Sequence, residues 1–154
     1  VVYSRLEEME KAEKVWERAK QLEPKHKKVK EYDHVLAVAY LKKGIQSGQE
    51  NNFTLAIDYM IKSVKYDSID PKTWLNMGLI YGARQKYNEA IQSLIKSIEY
   101  DDKNAEAWYN LGGAYFNVKN YTNAKEAWEK TLQLKPDHAN AINGLKSLKV
   151  QVKK

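Results

Sequence analysis

Three histidines, His26, His34 and His138, are the side chains of this sequence that would ordinarily exchange protons near neutral pH. None of them has a serine or a carboxylate at a spacing typical of a catalytic or metal site, and all three fall near predicted helix starts. There is no cysteine, which excludes disulfides and thiolate metal ligands. No phosphate-binding glycine loop is predicted either, because Gly112-Gly113 falls inside a predicted helix. We therefore expect a protein that is not an enzyme, with no catalytic residue, metal ligand or cofactor.

The net charge of +6 raises the question of nucleic-acid binding, but the distribution of the charge argues against it. Nearly all of the positive charge is lysine, and only Arg5, Arg18 and Arg84 could make bidentate contacts to phosphate or guanine. The lysines are interleaved with glutamates, as they are between Glu7 and Lys14, which is typical of a solvated helix face. We therefore expect no nucleic-acid partner.

The sequence gives little information on its cellular compartment. No apolar run approaches the roughly 18 residues that a membrane span requires, so no membrane partner is expected. The first residues become charged almost at once and do not resemble a secretory signal. The chain opens on Val1 rather than methionine, which indicates a fragment or processed form of a longer protein. A cysteine-free helical protein fits the cytoplasm and the periplasm equally well, so both compartments stay open.

The clearest pattern in the sequence is a period of 34 residues that is shared by five side-chain types. The residues that recur are Trp74, Gly78, Tyr81, Tyr87 and Ala90, followed by Trp108, Gly112, Tyr115, Tyr121 and Ala124. A fixed period of this length indicates stacked structural repeats. We therefore expect the function to lie in a shaped binding surface rather than in a catalytic pocket.

Two gap-free units, 71–104 and 105–138, are each predicted to form two helices. Asp70-Pro71 is typical of a helix N-cap followed by the first helical residue, and Asn104 takes the capping position one period later. The second helix of each unit carries an alanine-containing apolar stripe. Three residues in front of such stripes, 34 apart, are interpreted as N-caps of the second helices: Thr54, Asn88 and Thr122.

This pattern resembles the tetratricopeptide repeat family. The residues that carry the resemblance in the second unit are Trp108, Leu111, Gly112, Tyr115, Ala124, Trp128 and Pro136. Thr131 replaces the second alanine of the family pattern, and Asp102 of the first unit replaces its closing proline. The resemblance implies an all-α, right-handed α-solenoid of helix-turn-helix repeats whose first helices line the concave side. It also implies a non-catalytic protein–protein interaction module.

The region before residue 71 can be aligned in two ways. Subtracting 34 pairs Gly44 with Gly78, but that match would run a helix through 45–51, where the sequence is typical of a loop. We therefore match Tyr40 with Tyr81, place a helix C-cap at Gly44 and predict a loop insertion at 45–51. The predicted single domain, 1–154, then consists of a partial repeat (1–25) that begins inside a first helix, a repeat with the insertion (26–70), two full repeats (71–104 and 105–138) and a C-terminal capping helix (139–154).

One stripe on each first helix is left over after the core positions are assigned, and it mixes apolar and amide side chains. We predict that this stripe binds a peptide segment of a partner protein, with Asn76 and Asn110 pairing with the peptide main chain. The predicted peptide-binding residues are Lys72, Leu75, Asn76, Leu79, Tyr109, Asn110, Phe116, Asn117, Asn143, His34 and Val38. The alternative is that these asparagines are ordinary surface residues, and that Tyr109 and Phe116 pack against the adjoining repeat.

The resemblance does not extend to one binding mode of the family. Some members clamp the terminal carboxylate of a chaperone tail with lysines, an arginine and asparagines on their first helices. Here Lys72 is present, but Asn76 stands where the arginine would be, and Tyr109 and Gly113 do not supply the lysine and asparagine. We therefore do not expect a chaperone-tail clamp, and the sequence does not identify the partner.

Two further functions remain as alternatives. The first is a structural scaffold or self-association module, which would dimerise through the truncated N-terminal repeat and its exposed Val15, Trp16 and Ala19. The second is RNA binding, because a related class of helical-hairpin repeats binds RNA, although the Trp/Gly/Tyr pattern argues against it.

Overall fold

The computed structural model describes residues 2–151, and the side chains of residues 8–148. This part of the chain forms eight α-helices and contains no strand. The helices are α1 (Val2–Leu22), α2 (Val29–Gln49), α3 (Phe53–Tyr66), α4 (Pro71–Ala83), α5 (Tyr87–Tyr100), α6 (Ala105–Asn117), α7 (Tyr121–Leu134) and α8 (Ala139–Gln151). The predicted all-α solenoid is therefore confirmed. None of these helices is both long and apolar enough to pass through a membrane.

Three antiparallel helix pairs, α2/α3, α4/α5 and α6/α7, form the body of the solenoid. The first helices of successive pairs contact one another directly, since α4 contacts both α2 and α6, and α6 contacts α8. The second helices α3, α5 and α7 make no such contacts among the described residues. The first helices therefore lie closer together and form the inner, concave wall of the array.

The turns inside the three helix pairs share one geometry. Asn51, Gln85 and Lys119, which are 34 residues apart, all adopt left-handed backbone conformations, with φ of 59°, 58° and 62°. In each turn the next residue donates its N–H back to a carbonyl near the end of the first helix, as Lys86 does to Tyr81 at 2.9 Å. The 34-residue period is thus a backbone repeat as well as a side-chain repeat.

The N-caps of the first helices are confirmed, but those proposed for the second helices are wrong. Asp70 and Asn104 accept hydrogen bonds from the first backbone N–H groups of α4 and α6. The second helices begin two residues earlier than predicted, and the capping positions are Asn52, Lys86 and Asn120 rather than Thr54, Asn88 and Thr122. Only three residues separate the two helices of each pair, and the left-handed residue is the second of them. This short turn leaves the predicted caps inside the first turn of the second helix.

The predicted loop insertion at 45–51 is also wrong. Helix α2 continues without a break to Gln49, and Gly44 lies inside it rather than at a C-cap. A Cβ on Gly44 would fall 2.9 Å from Met60 Cγ, just as a Cβ on Gly78 would fall 2.6 Å from Leu94 Cγ. Gly44 therefore corresponds to Gly78, as in the gap-free alignment that the sequence analysis set aside.

Packing explains why a helical segment has a loop-like composition. Gly48 faces α4, where an added Cβ would already lie 3.4 Å from Ile80 Cδ1. The neighbouring Ser47 is buried as well. Small side chains in this turn of α2 therefore permit helices to approach closely, and they do not interrupt the helix.

The extra length of this repeat, which was predicted as a loop after α2, lies instead at the N-terminal end of α2. The Ser63 hydroxyl donates to the Ala37 carbonyl at 2.8 Å, and the Ser97 hydroxyl donates to the Pro71 carbonyl at 2.9 Å. Ala37 is thus the counterpart of Pro71, the first residue of α4. Residues 29–36 precede that position and lengthen α2 by about 12 Å of helix.

The N-terminal partial repeat is a single helix, without the internal turn that its alignment implied. Helix α1 runs unbroken from Val2 to Leu22. Glutamate, methionine and lysine dominate the segment where the turn was expected, and all three favour helix. The alignment paired Tyr3 with Tyr115 of a first helix, and the side chain of Tyr3 lies outside the described residues.

The C-terminal helix α8 closes the stack as a capping helix. Ala141 and Leu148 are buried against α7, and Ile142 and Leu145 are half-buried beside them. The sequence pattern also predicts Val152 on this apolar stripe, and that residue lies outside the described residues.

Candidate functional site

The first helices α2, α4 and α6 carry all the residues that were predicted to bind peptide except Asn143, which lies on α8. We call the concave surface of α2, α4 and α6 the groove. On α4 the predicted residues recur at spacings of three and four, so that Lys72, Leu75, Asn76 and Leu79 share one face. Asn110 of α6 stands one period after Asn76.

The groove asparagines are held against their own helices. Asn76 Nδ2 donates to the Lys72 carbonyl at 2.8 Å, and Asn110 Nδ2 donates to the Glu106 carbonyl at 2.7 Å. Asn117 makes the same contact with the Gly113 carbonyl at 2.8 Å. Each amide nitrogen therefore uses one of its two hydrogens within the helix, which fixes the side chain and leaves the amide oxygen as an acceptor.

Tyr109 and Phe116 pack against residues of their own repeat, whereas the alternative interpretation placed them against the adjoining one. The ring of Tyr109 lies 4.7 Å from the imidazole of His138, and its carbonyl accepts the Trp128 indole N–H at 3.1 Å. Phe116 lies 5.5 Å from the ring of Tyr121 and 5.7 Å from that of Trp128. Both side chains stay half-exposed, so they form part of the wall rather than an open pocket.

A concavity of about 270 Å³ lies in the groove between α4 and α6, and the start of α5 contributes to its lining. Its lining residues are Gly78, Leu79, Gly82, Ala83, Tyr87, Ala90, Leu94, Asn110, Gly113, Ala114 and Asn117. We call this concavity the side-chain pocket. It brings together three of the predicted site residues, Leu79, Asn110 and Asn117.

Sequence reasoning missed Gly82 and Tyr87 as parts of this pocket. A Cβ on Gly82 or on Gly113 would meet no other atom within 4 Å, whereas Gly78 and Gly112 are tightly packed. Glycines inside a helix look alike in sequence, whether they permit close packing or leave space open. The 34-residue period offered a signal only at Gly113, which has no glycine one period away, whereas Gly82 follows Gly48 by one period.

The other predicted residues lie away from the pocket. Leu75 packs against a core cluster, and Lys72 is exposed at the start of α4. Val38 is half-buried on α2, and Asn143 is exposed on α8. His34 lies on the additional turns of α2, where its Nδ1 is 3.4 Å from Asp67 Oδ2.

The turns that flank the pocket carry positive charges, and no charged side chain lines the pocket itself. Arg84 and Lys86 occupy the turn between α4 and α5, and Lys119 occupies the turn after α6. Lys86 lies 3.9 Å from the Glu89 carboxylate, which is a long ion pair. No cluster of potential metal ligands occurs among the described residues.

Comparisons with known families agree with this architecture. The sequence matches the family described as TPR repeat over residues 78–119 and the one described as tetratricopeptide repeat over residues 105–138. The chain therefore contains tetratricopeptide repeats in this region. No curated protein matches its sequence.

Solved tetratricopeptide repeat domains superimpose on most of the chain. One is the first such domain of Spaghetti (RPAP3) bound to the HSP90 peptide SRMEEVD, with a TM-score of 0.77, 21% identity, and coverage of 79% of this chain and 96% of that one. Another is the second domain of human RPAP3 in complex with the HSP70 peptide SGPTIEEVD, with a TM-score of 0.73, 24% identity, and coverage of 76% and 98%. A third is a structure of MamA, with a TM-score of 0.71 and 21% identity, and this match covers 94% of this chain and 79% of the MamA chain. At these identities the likeness establishes the fold.

Proposed function

We propose that this protein is a non-catalytic interaction module whose groove binds an extended peptide segment of a partner protein. The observation that carries the proposal is the side-chain pocket on the concave wall, lined by Leu79, Asn110 and Asn117. An extended segment could lie along the first helices, with its main chain against the amide oxygens and one side chain in the pocket. The similar domains of Spaghetti and human RPAP3, each with a bound peptide, support this use of the fold.

A chaperone-tail clamp is not part of this proposal. Lys72 and Asn76 lie on the groove face of α4, but Tyr109 is packed on His138 and Gly113 has no side chain. The corresponding face of α6 therefore presents no lysine that could bind a terminal carboxylate. Glu106, which precedes these positions on α6, would repel one.

The proposal is tested by selecting peptides on the purified protein from a random displayed library and measuring their affinity for Asn110→Ala. We expect this substitution to weaken binding by roughly 1–3 kcal/mol, because it removes a polar group of the groove. The melting temperature should change little, since the Asn110 amide donates to the Glu106 carbonyl within its own helix. Unchanged affinity for every selected peptide would contradict the proposal.

Self-association through α1 is the second candidate function. Val15 is 71% exposed and Leu22 is 75% exposed, and together with the exposed Ala19 they leave apolar surface on this helix. Trp16 contributes less than expected, because its indole donates to Asp33 at 2.9 Å and its ring lies 4.7 Å from that of Tyr32. Light scattering over a range of concentrations tests this candidate, and a monomer at all concentrations would contradict it.

A further inference from the structure

We infer that the side-chain pocket binds a single aromatic side chain of the partner segment, and that the segment carries a carboxylate next to that aromatic residue. The inference rests on the proposed function and makes it more specific. It depends on three features of the pocket: its volume, its uncharged lining and the cations at its edge.

The volume fits one large side chain. About 270 Å³ lies below the roughly 300–1,000 Å³ that small-molecule and cofactor sites usually enclose. The space exists because Gly82 and Gly113 have no side chains, and a Cβ at either position would point into open space. A side chain of the ligand can therefore occupy volume that the repeat itself leaves unfilled.

The lining favours an aromatic group over a charged or a purely aliphatic one. Leu79, Leu94 and Ala114 supply apolar surface, while Tyr87 and Asn110 supply polar atoms. A charged side chain in this pocket would lose hydration without gaining an ion pair, which is unfavourable. A tyrosine or tryptophan has an apolar ring for the walls and a polar edge for the amide or phenol, and phenylalanine supplies the ring alone.

The cations beside the pocket favour a neighbouring carboxylate. Lys86 directly precedes the lining residue Tyr87, and Lys119 lies two residues beyond the lining residue Asn117. Lys119 has no carboxylate within ion-pair distance among the described residues. Lys86 already lies 3.9 Å from the Glu89 carboxylate, so Lys119 is the uncompensated cation. An acidic residue next to the bound aromatic would be attracted to Lys119, whereas a lysine there would be repelled.

The experiment uses the purified chain and a random heptapeptide library displayed on phage. Selected peptides are resynthesised with a fluorescent label and titrated against the wild type and against Gly113→Leu, which fills the pocket. Gln133→Leu serves as the matched control, because it adds the same side chain to an exposed position of the outer helix α7. Circular dichroism verifies that each variant is folded, and Gly113→Ala provides a smaller substitution at the same position.

We expect the selected peptides to share an aromatic residue next to Asp or Glu. Replacing the aromatic by alanine, or using Gly113→Leu, should weaken binding at least about tenfold, as is typical of a central anchor. Gln133→Leu should bind as the wild type does. Replacing the acidic residue by lysine should also weaken binding, and the loss should shrink at high salt.

The alternative outcomes separate the inference from the proposed function. Peptides that are sensitive to Asn76→Ala in the groove, but carry no shared aromatic and bind Gly113→Leu normally, would overturn the inference and leave the proposed function standing. Aromatic peptides that prefer flanking lysine would overturn the charge part of the inference. A library that yields no binder of the groove would contradict the proposed function together with the inference.

Discussion

Gly112 lies directly against the indole ring of Trp128. A Cβ on Gly112 would fall 2.5 Å from Trp128 Cδ1, and a Cβ on Gly144 would fall 2.8 Å from the opposite part of the same ring. The indole is thus held between α6 and α8, and it cannot move away from one glycine without meeting the other. This contact links the last repeat to its capping helix, and it distinguishes Gly112 from the adjacent Gly113.

The first prediction compares these two neighbouring glycines. Gly112→Ala should destabilise the protein by about 1–3 kcal/mol, because the new methyl group collides with a ring that has no room to shift. Gly113→Ala should stabilise it by up to about 1 kcal/mol, because alanine favours helix and its methyl group meets nothing. Chemical denaturation of both variants measures the difference. Equal effects of the two substitutions would contradict the assigned packing.

The second prediction concerns the hydrogen bond that joins the two helices of one repeat. Ser97 is fully buried, and its hydroxyl donates to the Pro71 carbonyl of α4, whereas the hydroxyl of Ser93 donates to Glu89 within α5. Ser97→Ala should lower the free energy of unfolding by about 1 kcal/mol, since an interhelix bond is lost. Ser93→Ala is the control and should leave the free energy of unfolding nearly unchanged, because the higher helix propensity of alanine offsets the loss of the hydrogen bond to Glu89. Thermal unfolding distinguishes the two.

The third prediction addresses the left-handed turn between α4 and α5. Gln85 adopts φ of 58°, a conformation that costs a non-glycine residue roughly 1 kcal/mol or more. Gln85→Gly should therefore stabilise the protein, despite the greater entropy of glycine in the unfolded chain. Gln92→Gly, within α5, should destabilise it by about 1 kcal/mol. Chemical denaturation measures both variants: the midpoint of Gln85→Gly should lie above that of the wild type, and the midpoint of Gln92→Gly below it. A lower midpoint for Gln85→Gly would contradict the left-handed conformation at this turn.

The fourth prediction is a pH dependence of the attachment of α1. Burial raises the pKa of Glu13, but hydrogen bonds from Tyr40 and Tyr66 and the charges of Lys62 and Lys65 outweigh it and lower the pKa below its usual 4.5. The stabilisation is therefore complete above the pKa of the unfolded chain and is lost as the pH falls through the lowered folded value. Hydrogen exchange should show α1 losing protection below about pH 4.5 before the repeats do.

The control for this prediction is a neutral side chain at the same position. Glu13→Gln keeps the size and a hydrogen-bond acceptor but has no charge to titrate, so α1 should be less protected at neutral pH and should change less on acidification. Glu8→Gln, on an exposed part of the same helix, should behave as the wild type does. If the Glu13→Gln variant retained the full pH response, the ionisation of Glu13 would not be the cause of that response.

Much of the architecture follows from the sequence by itself, because it depends on local and periodic features. The 34-residue period, the two helices per unit and the caps at Asp70 and Asn104 all depend on side chains that act on their own or on adjacent turns. Trp74 and Trp108 illustrate the equivalence, since each donates its indole N–H to the carbonyl six residues earlier at 2.8 Å. Residues at equal positions of a repeat meet equal surroundings, so periodicity alone predicts them.

Tertiary structure decided the features for which one residue type serves two purposes. Gly44 was predicted to end a helix, yet the approach of Met60 shows that it permits close packing inside one. Conversely, Gly113 was predicted to lie inside a helix beside Gly112, yet it opens the side-chain pocket. A missing side chain can relieve backbone strain, admit a neighbouring helix or leave a space, and only the neighbouring atoms determine which of these occurs. Those neighbours lie far away in sequence, which is why the groove could be located from the period but its pocket could not.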